Sequence, residues 1–142
     1  DDKWFNNIFV GRGLEGVKAA PGYASDWNVF LGGAKKSAFG DAHSAVSPVA
    51  VDFEMTDRPR GVRLTFRLND LPTTGDRPWV DADLVGVMPT VGQTIEDREG
   101  RPIRVETDLF GRRRDRPVAG PLAQPAEGVN TVPWSLGRPG GQ

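Results

Sequence analysis

Between residues 49 and 68 the chain alternates apolar and polar side chains twice. In "VAVDFEM" (49–55), Val49, Val51, Phe53 and Met55 fall on one side and Asp52 and Glu54 on the other. In "VRLTFRL" (62–68), Val62, Leu64, Phe66 and Leu68 oppose Arg63, Thr65 and Arg67. Period-two runs predict half-buried strands, and the Pro and Gly of the intervening "TDRPRG" predict a turn. The pair therefore reads as an antiparallel hairpin with Phe53 and Phe66 on the buried face. Its polar faces are acidic on one strand and basic on the other, so cross-strand charge pairs would support the register. Farther on, "WVDADLVGV" (79–87) reads as another alternating strand and "PIRVE" (102–106) as a short one. After the loop-like "NDLPTTGDRP" and the turn "TDLFGRRR", a Pro/Gly-rich tail ends near Trp134. No stretch carries a helical period.

A different pattern precedes the hairpin. "NIFVG" at 7–11 returns as "NVFLG" at 28–32. A return at this interval lies at the short end of solenoid repeat lengths. In a coil of parallel turns, Ile8 and Val10 would align with Val29 and Leu31, Phe9 with Phe30, and Asn7 with Asn28. Stacked asparagines can hydrogen-bond along such a column, and stacked aromatic rings add contact area. Gly11 and Gly32 would let the backbone turn at the strand ends. The plainer alternative is chance similarity of two short hydrophobic strands. Two turns cannot bury a solenoid core, for which at least about three are needed, so the segment reads as the end of something longer. An open solenoid end also requires cover, since exposed strand edges invite strand addition.

Composition narrows the functional classes. With 142 residues and 37% apolar content the chain suffices for one modest core. The 18 Lys+Arg balance 19 Asp+Glu, so no global field points to nucleic acid or to an anionic membrane. Cysteine is absent, which removes disulfides and thiolate metal sites. No apolar run approaches the ~18–20 residues that span a bilayer. "DDKWFNN" lacks the features of a signal peptide, so a signal for export would lie outside this chain. There is no phosphate-binding loop, dinucleotide fingerprint or zinc spacing, and no cofactor is expected.

Several segments are familiar in combination: "NNIFVGRGL", "YASDWNVFLGGAKKS", the alternating hairpin, "EGRPIRVETDLFGRRRDRPVAGPLA" and a late Trp. Together they resemble the C-terminal part of secreted bacterial right-handed parallel β-helix proteins of the glycoside-hydrolase type, in the group with α-L-fucosidase-like and xylanase-like members. The finishing stretch departs from the pattern at Glu99, where an Asp is usual, and at Leu109, where an aromatic is usual. The resemblance covers residues 4–134 and implies an all-β fold: the last rungs of a parallel β-helix over 1–47, then a small antiparallel sheet acting as a C-terminal cap, with an extended tail, over 48–142. It also implies a fragment or one piece of a larger glycosidase, several hundred upstream residues, and a secreted or periplasmic location.

Glycoside hydrolysis needs two carboxyl groups flanking the scissile bond. The candidates are Asp26, Asp41, Asp52 and Glu54. Asp26 precedes the second repeat strand, where a loop edge could present it to a groove; its plainer role is a turn-forming Asp. Asp52 and Glu54 would stand roughly 7 Å apart on one strand face, equally suited to pairing with Arg63 and Arg67. His43, the single histidine, lies in "GDAHSAV" beside Asp41 and Ser44, yet triads are normally gathered from distant segments. Asp81 and Asp83 form a D-x-D pair without the further oxygens that calcium requires. "GRRRDR" at 111–116 reads as a solvated turn or as Arg stems laid on the preceding turns. Trp4, Trp27, Trp79 and Trp134 could stack on sugar rings if exposed, with Trp27 and Trp79 the candidates for carbohydrate contact; burial is the commoner fate of Trp, and Trp134 would pin the tail.

Two functions follow as expectations. The first is a structural, capping segment of a carbohydrate-active β-helix enzyme, partnered by the remainder of that chain or by itself, with a glycan as substrate and the main catalytic carboxylates upstream. The second is a free-standing, non-catalytic β-sandwich carbohydrate-binding module.

Overall fold

The structure is a computed structural model that describes residues 2–59, 61–68 and 75–135. The side chains of Arg58, Trp134 and Ser135 lie outside the described set, as does the loop expected over 69–74. Apart from one helix of four residues the described elements are strands.

Five short strands form the N-terminal part: β1 (Lys3–Phe5), β2 (Ile8–Val10), β3 (Ala24–Asp26), β4 (Val29–Leu31) and β5 (Ala45–Ser47). All pair in parallel. β1 aligns with β3, and β2 with β4 in the register Ile8↔Val29, Phe9↔Phe30, Val10↔Leu31. The repeat read from the sequence is therefore a spatial one, and Phe9 lies on Phe30 with ring centroids 5.0 Å apart and planes at 9°. A third strand, β5, continues the sheet with Val29↔Ala45. The sequence concealed it because the second interval is shorter (16 residues against 21) and its strand is Ala-Val-Ser rather than Val-Phe-Leu. Gly40 lets the third turn close on the second: a Cβ there would lie 2.2 Å from the Ser25 carbonyl oxygen, which accepts the Asp41 N–H.

The hairpin is β6 (Phe53–Arg58) with β7 (Gly61–Leu68), antiparallel as the alternation predicts, but its first strand begins at Phe53 and runs on to Arg58 instead of spanning 49–55, which sets Phe53 opposite Phe66. Its faces differ from the expectation in one respect. Phe66 is buried, but Phe53 and Met55 are 54% and 67% exposed. The reason is a strand the sequence reading missed. β10 (Gly128–Ser135) pairs along the whole of β7, giving the order β10-β7-β6, so that β6 is an edge. Pro133 sits in β10, an edge strand, where a missing N–H is tolerated. Trp134 lies opposite Val62 in that pairing; whether its ring pins the tail falls outside the described residues.

The three-stranded sheet packs on the side of the parallel stack. Alternation along β4 sends Phe30 to one face, into a core with Leu14 and Ala34 that Trp4, Phe9 and Val17 complete. Val29 and Leu31 go to the opposite face, where they meet Phe66, Leu68, Val132 and Ala119, with Ile8, Val51, Leu64 and Leu122 around them. Of the three strands of that sheet, β7 and β10 supply described residues to this core and β6 supplies none, which leaves Phe53 and Met55 beyond it. Val46, next in the Phe9–Phe30 column, is 55% exposed.

Two further strand expectations are corrected. "WVDADLVGV" contains the short helix α1 (Ala82–Val85), because Asp81 accepts the Leu84 N–H as an N-cap and Gly86 ends the turn at φ 74°. It is followed by β8 (Val87–Met88), paired with β9 (Gln93–Thr94). "PIRVE" joins only through isolated bridges, Glu96↔Pro102 and Asp81↔Arg104. The turn "TDLFGRRR" is held from within. Arg114 is buried and donates from its guanidinium to the carbonyls of Thr107, Val118, Gly120 and Leu122, while the Asp108 carboxylate accepts the N–H groups of Phe110, Arg112 and Ala123. Arg112 and Arg113 are exposed, so the solvated-turn expectation holds for them and fails for Arg114.

Phe66→Ala is expected to cost about 3–5 kcal/mol in a urea titration, the usual penalty for a buried Phe. Phe53→Ala, on the uncovered edge, is expected to cost under about 1 kcal/mol. Equal effects would mean that the two faces of the hairpin are wrongly assigned.

Candidate functional site

Of the candidate polar residues, Asp26, Asp41 and His43 gather where the parallel turns bend between their strands. Between β1 and β2, Asn6 takes the left-handed conformation at φ 56°; between β3 and β4, Trp27 does so at φ 53°. For a bulky residue such backbone is uncommon and must be held by its surroundings. Three groups hold Trp27. Asp26 Oδ1 accepts the Trp27 N–H (2.9 Å), the Arg77 guanidinium donates to the Trp27 carbonyl (2.7 Å), and the His43 ring lies parallel to the indole at 5.0 Å. Arg77 also donates to Asn6 Oδ1, tying the bends of two turns together.

Beneath the bends runs a buried polar column. Asn28 Oδ1 accepts from the backbone N–H of Asn7 (2.9 Å) and from its side-chain amide (3.2 Å). Asn28 Nδ2 donates to the Trp4 carbonyl, to Ser25 Oγ and to Asp41 Oδ1, and its N–H donates to Ser44 Oγ. The asparagine contact expected from the sequence is thus present and belongs to a larger network. Asp41 is its centre: Oδ1 accepts from Ser25 Oγ (2.8 Å) and Ser44 Oγ (2.7 Å), and Oδ2 accepts the Ser37 N–H (2.8 Å). Burial pushes the Asp41 carboxyl up, but the bonds from Ser44, Ser37, Asn28 and Ser25 outweigh it and hold the group below its ordinary value. At 1% exposure Asp41 faces no groove.

Asp26 and His43 are brought together across 17 residues: His43 Nδ1 lies 2.7 Å from Asp26 Oδ2, and the His43 N–H donates to Asp26 Oδ1. Partial burial raises the Asp26 carboxyl, and the His43 side chain and the Trp27 and His43 N–H groups bring it below its usual range. No hydrogen bond joins Ser44 to His43 among the described residues. The hydroxyl serves Asp41, so Asp41, His43 and Ser44 do not assemble a triad. Asp52 lies 3.7 Å from Arg67, the surface pairing expected, and Glu54 is exposed on the edge strand. Asp81 is occupied as a helix cap and Asp83 stands exposed in the first turn of α1. Among the described residues no three His, Cys, Asp or Glu side chains group to hold a metal.

Both candidate sugar-stacking rings are partly taken. Trp27 carries His43 on one face, with Phe5 near at 6.3 Å. Trp79 carries the Arg104 guanidinium at 4.8 Å, and it borders a cleft of ≈ 390 Å³ with Phe5, Asn6, Asn7 and Ile8. Trp4 packs with Tyr23 and Phe39. The residues missed by sequence reasoning are Arg77, Asp108 and Arg114. The last two had a signal in the Asp-x-x-Gly-x-x-Arg spacing, with Gly111 at φ 76° making the turn; Arg77 had none.

These features define an all-β chain of parallel turns in register, flanked by an antiparallel sheet. No protein-family model matches it, and no curated protein matches its sequence. Among solved structures, the complex structure of XylC with xylose is similar to it, with a TM-score of 0.69 at 17% identity. The match covers 94% of this chain and 26% of the XylC chain, so this chain spans about a quarter of that one. At that identity the likeness shows the fold.

The lowered carboxyls of Asp41, Asp26 and Asp108 set an acid limit on stability. A carboxyl whose folded value lies below its unfolded one contributes stability above about pH 4 and loses it as pH falls through the folded value. The urea midpoint is therefore expected to fall between pH 6 and pH 3. In Asp41→Asn the midpoint at pH 6 should be lower and its further fall with acid smaller. An unchanged acid slope would remove Asp41 from this role.

Proposed function

We propose that this chain supplies the last turns and the covering sheet of an exported, carbohydrate-active parallel β-helix protein, residues 1–47 forming the turns and 48–142 the sheet and tail. The observation that carries the reading is the in-register column β2-β4-β5 with an antiparallel sheet laid over its Val29/Leu31 face. The fold likeness over 94% of the chain to a part of XylC, a protein solved with xylose, supports a sugar as the ligand class of the whole protein. A secreted or periplasmic location goes with that reading. The carboxylates here argue for a structural role: Asp41 is consumed by its network and Asp81 by its cap, and Asp26 is bound to His43 and to backbone N–H groups. The catalytic acid and its partner therefore belong to the rest of the parent protein, which this segment keeps folded.

A second reading, a non-catalytic carbohydrate-binding module, draws on the cleft beside Trp79. Its β-sandwich form does not fit the parallel pairing of five strands, since such sandwiches are built from antiparallel sheets.

The test is an assay of the purified chain on xylose-containing oligosaccharides and on plant and algal glycans, with light scattering for its mass. No turnover is expected, and deletion of the segment from the longer protein should abolish that protein's activity. Turnover by the chain that disappears in Asp26→Asn would establish a compact enzyme instead. A monomer that binds glycans without turnover, and loses binding in Trp79→Ala, would establish the binding module.

A further inference from the structure

The turn that Arg114 anchors also shapes a cleft. Asp108 and Arg112 close the turn on itself: the Asp108 N–H donates to the Arg112 carbonyl and the Arg112 N–H to Asp108 Oδ1, both at 2.9 Å. Thr107 bridges to Arg113, and the Arg114 guanidinium is fixed on four carbonyls, so the backbone of Arg112 and Arg113 is held in place. Between this turn and β10 lies a cleft of ≈ 630 Å³, bordered by Phe110, Arg112, Arg113, Gln124 and Thr131. All five are exposed, and neither guanidinium forms an ion pair or a hydrogen bond among the described residues. Arg112 lies over the Phe110 ring, 5.4 Å from its centroid. Asp108 is the one anion bordering the cleft among the described residues; it is buried, and both its oxygens accept backbone N–H groups. The sheet carries the positive surface onward. Alternation along β10 turns Val132 to the core and Thr131 and Pro133 outward, and Pro133 pairs with the exposed Arg63 of β7. On the next strand, β6, the same outer face carries Glu54 and ends the basic track.

We propose that this cleft binds an acidic unit of a glycan, with its carboxylate or sulfate ester held by the Arg112 and Arg113 guanidinium groups and its hydroxyls by Gln124 and Thr131. A forked guanidinium matches such an oxyanion, and charge-assisted bonds of this kind are roughly twice as strong as neutral ones. The exposed part of Phe110 offers apolar surface to the C–H groups of the sugar ring. Because the turn is held from within by Asp108 and Arg114, little backbone freedom is lost on binding. Neighbouring units would run over Thr131 and Pro133 toward Arg63. A uniformly charged polymer fits less well, since the cations stop at Arg63 and Glu54 follows. The favoured ligand is therefore a chain in which acidic units are set among neutral sugars. This inference rests on the reading of the whole protein as carbohydrate-active and names the class of sugar unit recognised.

The experiment is titration calorimetry of the full chain with three oligosaccharides of equal length: one containing galacturonate, one containing sulfated galactose, and a neutral one of xylose. At least one acidic ligand is expected to bind about tenfold or more tightly than the neutral one, and to weaken as salt is added. The tighter of the two acidic ligands distinguishes a carboxylate from a sulfate ester. Arg112→Gln and Arg113→Gln should each remove most of the preference for acid with Tm unchanged. Arg98→Gln, which removes an exposed charge outside the cleft, should retain it. Equal binding of acidic and neutral ligands, or binding of none, overturns the inference. So does an equal loss in Arg98→Gln, which would mean general charge attraction, or a loss in Trp79→Ala, which would move binding to the other cleft. Tighter binding of a single-stranded oligonucleotide than of either acidic glycan would assign the cleft to phosphodiesters and overturn it as well. Each failure is separable from that of the carbohydrate reading, which stands or falls on turnover and on deletion of the segment from the longer protein.

Discussion

The structure depends on β4 burying both of its faces. Val29, Phe30 and Leu31 are all fully excluded from solvent, and because strand side chains alternate, they feed two different cores. Phe30 packs inward with Leu14 and Ala34, whereas Val29 and Leu31 lie under Phe66, Leu68 and Val132. Burial of each such side chain contributes roughly 1.5–3 kcal/mol. Parallel strands covered on both faces read as continuous apolar runs rather than as alternating ones, and "VFL" is such a run. A slip of β4 by one residue would drive Phe30 beneath the antiparallel sheet and Val29 into the coil, so a single register serves both cores.

Burying that strand brings the bends on either side of it out of water, and the polar column answers the cost. An unpaired buried amide or carboxylate is expensive. Asn28 and Asp41 avoid it by bonding both within their own turns and to neighbouring ones: Asn28 to Trp4, Asn7, Ser25 and Ser44, and Asp41 to Ser25, Ser37 and Ser44. Arg114 does the same for the C-terminal loops, its guanidinium satisfying four carbonyls. Function and architecture compete here for the same residues, since side chains with this much structural employment have few lone pairs left for a substrate.

The exposed members of the bends follow another logic. Asp26 aligns the His43 ring, and the ring in turn covers Trp27, whose backbone is in the left-handed region. Together they brace a strained bend at the surface. An imidazole with its Nδ1 held by a carboxylate also resembles a poised base in outline, a pairing the sequence did not suggest, since Asp26 stood out there as a loop-edge carboxyl and His43 as the neighbour of Asp41 and Ser44. Their setting is a surface bend, where the exposed His43 ring lies flat on Trp27 and Asp26 accepts the Trp27 and His43 N–H groups.

Sequence alone determined the elements whose signal is local and repeated. The spacing of the two Asn-x-Phe-x-Gly copies specified parallel alignment, because side chains that match along a column are chosen by the same neighbours. The alternation around Phe66 specified the hairpin. Tertiary structure decided the rest. Nothing within "FEM" says that Phe53 will overhang, since that depends on β10 taking the other side of β7. "WVDADLVGV" alternates well enough for a strand, yet one carboxylate capping three residues ahead turns it into helix. Among three adjacent arginines only Arg114 meets four converging carbonyls, and His43 finds Asp26 rather than its near neighbours Asp41 and Ser44. These outcomes rest on contacts between segments far apart in the chain, and a pattern read along the chain carries no record of which distant group will arrive.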